Sequence, residues 1–318
     1  MSYPIIEIDP EWVVEQEWLG TKGKYWIRIE DHETLRDNRW LFKYPKVRDE
    51  ENPKDITGMH WSEKIAYELS RTIKILSPVV ELATLGGDIG SLTQNFANEG
   101  YSLYHGNQVL AKAHPNYDAD KIQRQNDHKI SSIMDAIGGV FIDSEAGEKA
   151  RHQFAQYLIF DALICNVDRH HENWGFLRKQ VENGYKGRLA PSYDHASSLG
   201  RELVDKHTEN FNKKSCYSLL KDPTGIERYI QNGRGPIYVD GTGNKGPSPM
   251  KLVKRCLEIP ELAPYFKKGL QRLEWLENEK FRDIINKVPD IHMSELSKDF
   301  AYRLLCVTLK QLNELRSK

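Results

Sequence analysis

The sequence is poor in cysteine, in net charge and in long apolar runs, and each shortage removes a class of protein. Its four cysteines are Cys165, Cys216, Cys256 and Cys306, and the closest two stand 40 positions apart. With no Cys-x-x-Cys pair, neither a zinc knuckle nor a disulfide framework is encoded, and reduced, partly buried thiols are expected. Lysine and arginine number 45 against 46 acidic residues, so no global field draws the chain to nucleic acid or to an anionic membrane. The short basic clusters Lys213-Lys214, Lys254-Arg255 and Lys267-Lys268 read as solvated helix faces. The most apolar stretch, 157–167, is interrupted by Asp161 and is too short to span a bilayer. The N-terminus MSYPIIEIDPEW lacks the basic flank and apolar core of a signal peptide. No G-x-x-x-x-G-K-[ST] string occurs, which removes the P-loop NTPases. What remains is 39% hydrophobic and 29% charged, the balance of a folded, soluble, cytoplasmic protein of one or two cores.

The pattern changes along the chain. Candidate strands at 25–29, 40–43, 79–84 and 91–96 are separated by Gly, Asn and Asp turn signals. One helix interrupts them, because Trp61, Ile65, Leu69 and Ile73 repeat every fourth residue and mark a single buried stripe. Helical periodicity takes over at 121–138 and 148–165. Two extended runs, 174–177 and 189–193, bracket an Asn183-Gly184 turn and read as a hairpin. Residues 221–250 are rich in Gly and Pro and read as a long loop or flap, and 251–318 returns to helix. The expectation is an α+β chain with a small strand-rich lobe at 1–110 and a larger helical lobe at 111–318.

The densest chemistry lies between Asn166 and Asn173, directly after a hydrophobic helix and before a strand. A loop anchored at both ends can hold exposed polar groups for reaction. Asp168 and Asn173 are five residues apart, the spacing of the protein-kinase catalytic loop, in which the Asp accepts a hydroxyl proton and the Asn binds metal. Such a pair also arises by chance, and its placement is what lends it weight. Asp194, leaving the second hairpin run, offers a carboxylate that with Asn173 makes the small oxygen set Mg²⁺ prefers. Capping a turn with Ser197 is its other reading. Lys43 sits in the apolar strand 40–43, where an ammonium needs an anion such as a phosphate or Glu63 of the next helix, unless it snorkels to water. Gly20, Thr21, Lys22 and Gly23 precede a strand, and two glycines there suit either phosphate approach or a plain hairpin turn.

Taken in order, four stretches resemble the HipA-like serine/threonine kinases: 20–24, 41–45, the loop Asn166, Asp168, His170, Asn173, and 190–195. The resemblance implies a two-lobed protein-kinase-like fold and an ATP- and Mg²⁺-dependent transfer to a protein serine or threonine. It assigns Asp168 as base, His170 as support of the loop, and Asn173 and Asp194 as Mg²⁺ ligands. It also assigns Lys43 as the ATP lysine, Glu63 as its partner, and 20–23 as the phosphate loop. It further implies a protein substrate, of which a translation component is one class, and an antitoxin-like regulator, with no direct nucleic-acid or membrane binding. The chain is shorter than full-length HipA proteins, and their extra N-terminal subdomain is expected to be missing, which bears against direct antitoxin docking. Some relatives silence themselves by phosphorylating a serine of the phosphate loop, where this chain offers Thr21. A small-molecule kinase and a nucleotide-binding pseudokinase fit the same residues, and a metal hydrolase built on His170, His171 and His195 is the most distant alternative.

Overall fold

The structure is a computed structural model describing residues 1–17, 23–28, 39–49, 51–98, 100–205 and 215–317. Strands dominate its first third. β1 (Ile5–Ile8), β2 (Val13–Glu17), β3 (Lys24–Arg28) and β4 (Arg39–Lys43) are followed by a short hairpin of β5 (Val47–Asp49) and β6 (Asn52–Ile56). Helix α1 (Met59–Thr72) then leads to β7 (Val80–Leu85) and β8 (Asp88–Gln94). Six of these strands form one sheet in the order β1-β7-β8-β4-β3-β2, antiparallel except where β1 runs parallel to β7. Its core side buries Ile8, Ile27, Trp40, Phe42, Ala83 and Leu92. The alternation of Trp40 and Phe42 inward with Leu41 and Lys43 less buried is the period-two pattern of a half-covered strand. Gly90 lets β8 approach β4, since a Cβ there would stand 2.4 Å from the Phe42 ring and 2.6 Å from the Lys43 carbonyl oxygen.

The expected stripe of α1 is observed, with Trp61, Ile65, Leu69 and Ile73 all buried. The same helix also buries Glu63 and Lys64. Lys64 is satisfied across to β7, donating to the Val80 carbonyl at 2.9 Å and to Glu81 at 2.8 Å, which fastens the helix to the sheet.

Beyond residue 100 come β9 (Ser102–His105), α2 (Gly106–Ala113), α3 (Ile130–Gly139) and α4 (Ser144–Ile164). The hairpin of β10 (Gly175–Val181) and β11 (Gly184–Leu189) takes β9 as a third strand. Among the described residues six helices follow: α5 (Cys216–Lys221), α6 (Gly225–Asn232), α7 (Pro249–Glu258), α8 (Ala263–Leu270), α9 (Asn278–Ile285) and α10 (Glu295–Arg316). Helix α4 is the axle of this lobe. From Phe154 to Ile164 almost every side chain is buried, the condition of a helix surrounded by others.

Three expectations need correction. The helix placed at 121–138 begins only at Ile130; residues 121–129 form turns, and Tyr238 closes a bridge on Lys129. The stretch 221–250 is not all loop, because α6 occupies Gly225–Asn232. Its amphipathic period is short and flanked by Gly and Pro, which hides it among turn signals. The second hairpin strand ends at Leu189, so Asp194 stands five residues beyond it. Strands β1, β2, β5, β6 and β9 were not expected from the sequence, and β1 is too short for alternation to show. The cysteines are free as expected, and burial pushes the thiols of Cys165, Cys216 and Cys256 up to about 12, leaving them unreactive. Among the described residues, no helix is long and apolar enough to cross a membrane.

Candidate active site

Helix α4 ends at Ile164, and Cys165 takes a left-handed conformation with φ of 54° that turns the chain sharply out of it. The loop that follows is held from below by a buried ion pair. Arg169 donates through Nε to Asp161 Oδ2 at 2.8 Å and through Nη2 to Asp161 Oδ1 at 2.7 Å. Its remaining donors reach the carbonyls of Asn173 at 2.6 Å and Tyr193 at 3.0 Å and the Ser192 hydroxyl at 3.0 Å. Asn166 donates a further bond to Asp161 Oδ1 at 2.8 Å. One guanidinium thus joins the last turn of α4, the loop, and the segment carrying Asp194. Gly106 allows α2 to close on this loop, since a Cβ there would meet the Trp174 ring at 2.2 Å and the His171 carbonyl oxygen at 2.6 Å.

On that base the loop turns Asp168 outward, its side of the structure exposed while Asn166, Arg169 and His171 are buried. The amide nitrogen of Asn173 donates to the Asp168 backbone carbonyl at 2.6 Å, which leaves its Oδ1 as an oxygen donor. His170 accepts the Glu172 backbone N–H on Nδ1 at 3.2 Å, a contact within the loop itself. The dense protein around the Asp168 carboxyl raises its pKa by desolvation; His170 and a hydrogen bond from Ser197 oppose that, and Asp194 adds to it.

Asp194 is reached across 150 residues of sequence by Lys43, at 3.5 Å. Its backbone is left-handed, φ 55°, a conformation that costs energy for a non-glycine residue and collects at functional sites. Burial pushes the Asp194 carboxyl up, but Lys43 first and Lys24 next outweigh it and hold the group at about 2. Burial works against the Lys43 ammonium, and the charges of Asp194 and Glu63 overcome it and raise its pKa. Lys24 and Lys43 face each other directly on neighbouring strands. Two like charges in that register repel unless an anion lies between them.

Glu63 faces the same space from α1, but the expected Lys43–Glu63 ion pair is not what forms. Lys43 pairs with Asp194, and Glu63 Oε1 instead accepts the His195 backbone N–H at 3.1 Å. Glu63 Oε2 is buried without a partner, and burial, against the pull of Lys43, pushes the carboxyl up to about 7. Physically, the nearer and more ionised carboxylate takes the cation. His195 is buried and neutral, its Nε2 against the Ser192 hydroxyl at 2.7 Å.

Asp168, His170, Asn173, Asp194, Lys43 and Glu63 therefore lie close together: Lys43 pairs with Asp194, the Asp194 charge acts on the carboxyls of Asp168 and Glu63, and His170 and Asn173 belong to the Asp168 loop. Gly20, Thr21 and Lys22 lie outside the described residues; Gly23 immediately precedes β3. The sequence suggested no role at the site for Arg169 or Asp161, placed Lys24 only within the 20–24 stretch, and offered Ser197 only as a turn partner of Asp194. Asp161 did leave a signal, since a carboxylate interrupting an apolar helix needs a buried cation. The donor set fits a magnesium ion: an ionised Asp194 carboxylate and the Asn173 amide oxygen are hard oxygen ligands, and Mg²⁺ takes few from protein. Among the described residues no group of three or more His, Cys, Asp or Glu stands together to hold a metal.

The chain is similar to known proteins. A family model described as the HipA-like C-terminal domain matches residues 18–230. The serine/threonine-protein kinase CtkA of Helicobacter pylori strain J99 is 22% identical over 271 residues, covering 84% of this chain and 74% of its own. The crystal structure of the H. pylori proinflammatory kinase CtkA superposes with a TM-score of 0.75 at 18% identity, over 99% of this chain and 98% of that one. HipA of Shewanella oneidensis MR-1, solved with HipB and operator DNA, gives a TM-score of 0.56 at 13% identity, over all of this chain and 70% of that one. The fold is accordingly the two-lobed, kinase-like α+β architecture, with a strand-rich and a helical part.

Proposed function

The chain belongs to the HipA-like C-terminal domain family, and from that premise we propose that it is a serine/threonine protein kinase, transferring the γ-phosphoryl group of ATP to a protein hydroxyl. The observation that carries the proposal is the convergence of Asp168, Asn173, Asp194 and Lys43, with Lys43 at 3.5 Å from Asp194, the Asp194 charge acting on Asp168, and Asn173 bonded to the Asp168 backbone carbonyl at 2.6 Å. In this reading Asp168, the exposed carboxylate, orients the acceptor hydroxyl and takes its proton. Lys43, with Lys24 opposite it, holds phosphate oxygens of the nucleotide. Asn173 Oδ1 and the Asp194 carboxylate would hold Mg²⁺, which when bound neutralises charge on the phosphates. Phosphoryl transfer asks mainly for positioning and electrostatics, so a few fixed side chains can supply most of it. His170 and Arg169 keep the loop in shape. The lobes divide near residue 110, and the reaction is placed in the cytoplasm. A regulator of the HipB kind belongs to the same proposal, because the HipA neighbour was solved with HipB.

The test is incubation of the purified chain with Mg²⁺ and γ-labelled ATP, alone and with dephosphorylated casein, followed by mass spectrometry. Phosphoserine or phosphothreonine on the chain or on casein is the expected result. ATP binding without transfer to either would overturn the protein-kinase reading and leave a small-molecule kinase or a nucleotide-binding module. Lys43→Met provides a second check. Losing one charge-assisted contact of about 1.5–3 kcal/mol should weaken ADP binding roughly 10- to 100-fold by calorimetry. An unchanged affinity would remove Lys43 from the nucleotide site.

A further inference from the structure

The proposal above gives Ser197 no part, yet its hydroxyl donates to Asp168 Oδ2 at 3.3 Å and accepts from Arg201 Nη2 at 3.1 Å. We infer that Ser197 is a positioning residue for Asp168, itself steadied by Arg201, and that this three-membered chain aims the carboxylate at the acceptor hydroxyl. The inference rests on reading Asp168 as the base of the transfer.

Backbone contacts, not the hydroxyl, fix where Ser197 stands. The Val167 N–H donates to the Ser197 carbonyl at 3.2 Å, and the Leu199 N–H donates to the Ile164 carbonyl at 3.0 Å, so 197–199 runs stitched along the catalytic loop. Arg201 is anchored from the strand-rich lobe. The Gly58 N–H at the start of α1 donates to the Arg201 carbonyl at 2.7 Å. Arg48 of the β5–β6 hairpin, itself paired with Asp55 at 2.6 Å, donates to the Leu203 carbonyl at 2.9 Å. The segment is therefore sewn to the catalytic loop at one end and to the other lobe at the other. Its two side chains bring that rigidity to the carboxylate of Asp168, an exposed residue.

Holding Oδ2 leaves Oδ1 for the acceptor. A hydroxyl–carboxylate separation of 3.3 Å is at the long end of a hydrogen bond. A hydroxyl beside a base also describes a self-acceptor. Against that, Ser197 is 8% exposed, is bonded through its backbone on the loop side and already receives Arg201. It has no freedom to swing toward a phosphoryl group.

The experiment measures transfer from Mg·ATP to dephosphorylated casein by the full chain and by Ser197→Ala, Ser197→Thr, Arg201→Ala and the Ser197→Ala/Arg201→Ala double variant, with ADP affinity by calorimetry. A misaimed catalytic group costs on the order of 10²-fold, so Ser197→Ala should lower kcat about 10- to 100-fold, with KM for ATP and ADP affinity within about twofold. Ser197→Thr should restore most of the rate. If Arg201 acts through Ser197, the double variant is no slower than Ser197→Ala alone, the non-additivity of groups in one chain. Undiminished kcat in Ser197→Ala, strictly additive losses, or phosphate found on Ser197 of the wild type would each overturn the assignment while leaving the kinase reading intact. A wild type that binds ADP and transfers nothing would overturn both.

Discussion

Asp168→Asn is expected to lower the rate of phosphoryl transfer by about 10²- to 10⁴-fold while leaving ADP affinity and thermal stability near those of the wild type. The amide has the shape of the carboxylate but cannot accept a proton from an acceptor hydroxyl. Nothing structural depends on the charge. Asn173 is held by the Asp168 backbone carbonyl, which the substitution keeps, and Ser197 still finds an oxygen to donate to. The side chain is exposed, so no buried group is orphaned, and exposed substitutions usually change stability by less than about 0.5 kcal/mol. Lys43 and Asp194, proposed above to face the nucleotide, pair with each other rather than with Asp168. Rates with labelled ATP, calorimetry with ADP and a melting curve together check this. A mutant within about tenfold of wild-type turnover would mean that the proton leaves by another route and that Asp168 is not the base.

The second large effect concerns stability. Asp161→Ala should lower the free energy of unfolding by about 3–5 kcal/mol, the cost of leaving one member of a buried pair uncompensated. Both side chains are about 3% exposed, and Asp161 accepts three hydrogen bonds, two from Arg169 and one from Asn166. Its removal strands the guanidinium inside the helical lobe. The three oxygens Arg169 also reaches, on Asn173, Tyr193 and Ser192, soften the loss without replacing a charge. Asp161→Asn, which keeps two of the acceptor's lone-pair sites, should cost less. Urea unfolding reads both variants: the midpoint should fall with little change of slope, and the catalytic rate should fall with it, since the same guanidinium shapes the loop. A loss below about 1 kcal/mol for Asp161→Ala would show that the loop is held by its backbone bonds alone.

The loop from Asn166 to Asn173 was legible because its chemistry is local. Residues five apart between a helix and a strand are brought together by a single turn, and their spacing survives in the sequence whatever the rest of the chain does. The stripe of Trp61, Ile65, Leu69 and Ile73 was legible for the same reason: 3.6-residue periodicity is a property of one helix. Lys43 and Asp194 could each be suspected singly, because an ammonium in an apolar strand and a carboxylate near a hairpin both ask for partners. Which partner each takes was not written in either neighbourhood. Glu63 was the plausible mate of Lys43, and Asp194 is the one it meets.

By itself, then, the sequence determined the kinds of groups available, the helix that ends at the loop from Asn166 to Asn173, and the order of a strand-rich part followed by a helical one. The tertiary structure alone decided the pairings between them. The register of β3 against β4 sets Lys24 opposite Lys43. The buried Asp161–Arg169 pair fastens the segment before Asp194 to the loop. The run from Ser197 to Arg201 is laid along the loop and tied to the other lobe. Except for Asp161 and Arg169, eight residues apart, these are contacts between residues distant in the chain. Strand register, burial and the desolvation of charge choose among several chemically equivalent partners only once the two lobes have packed.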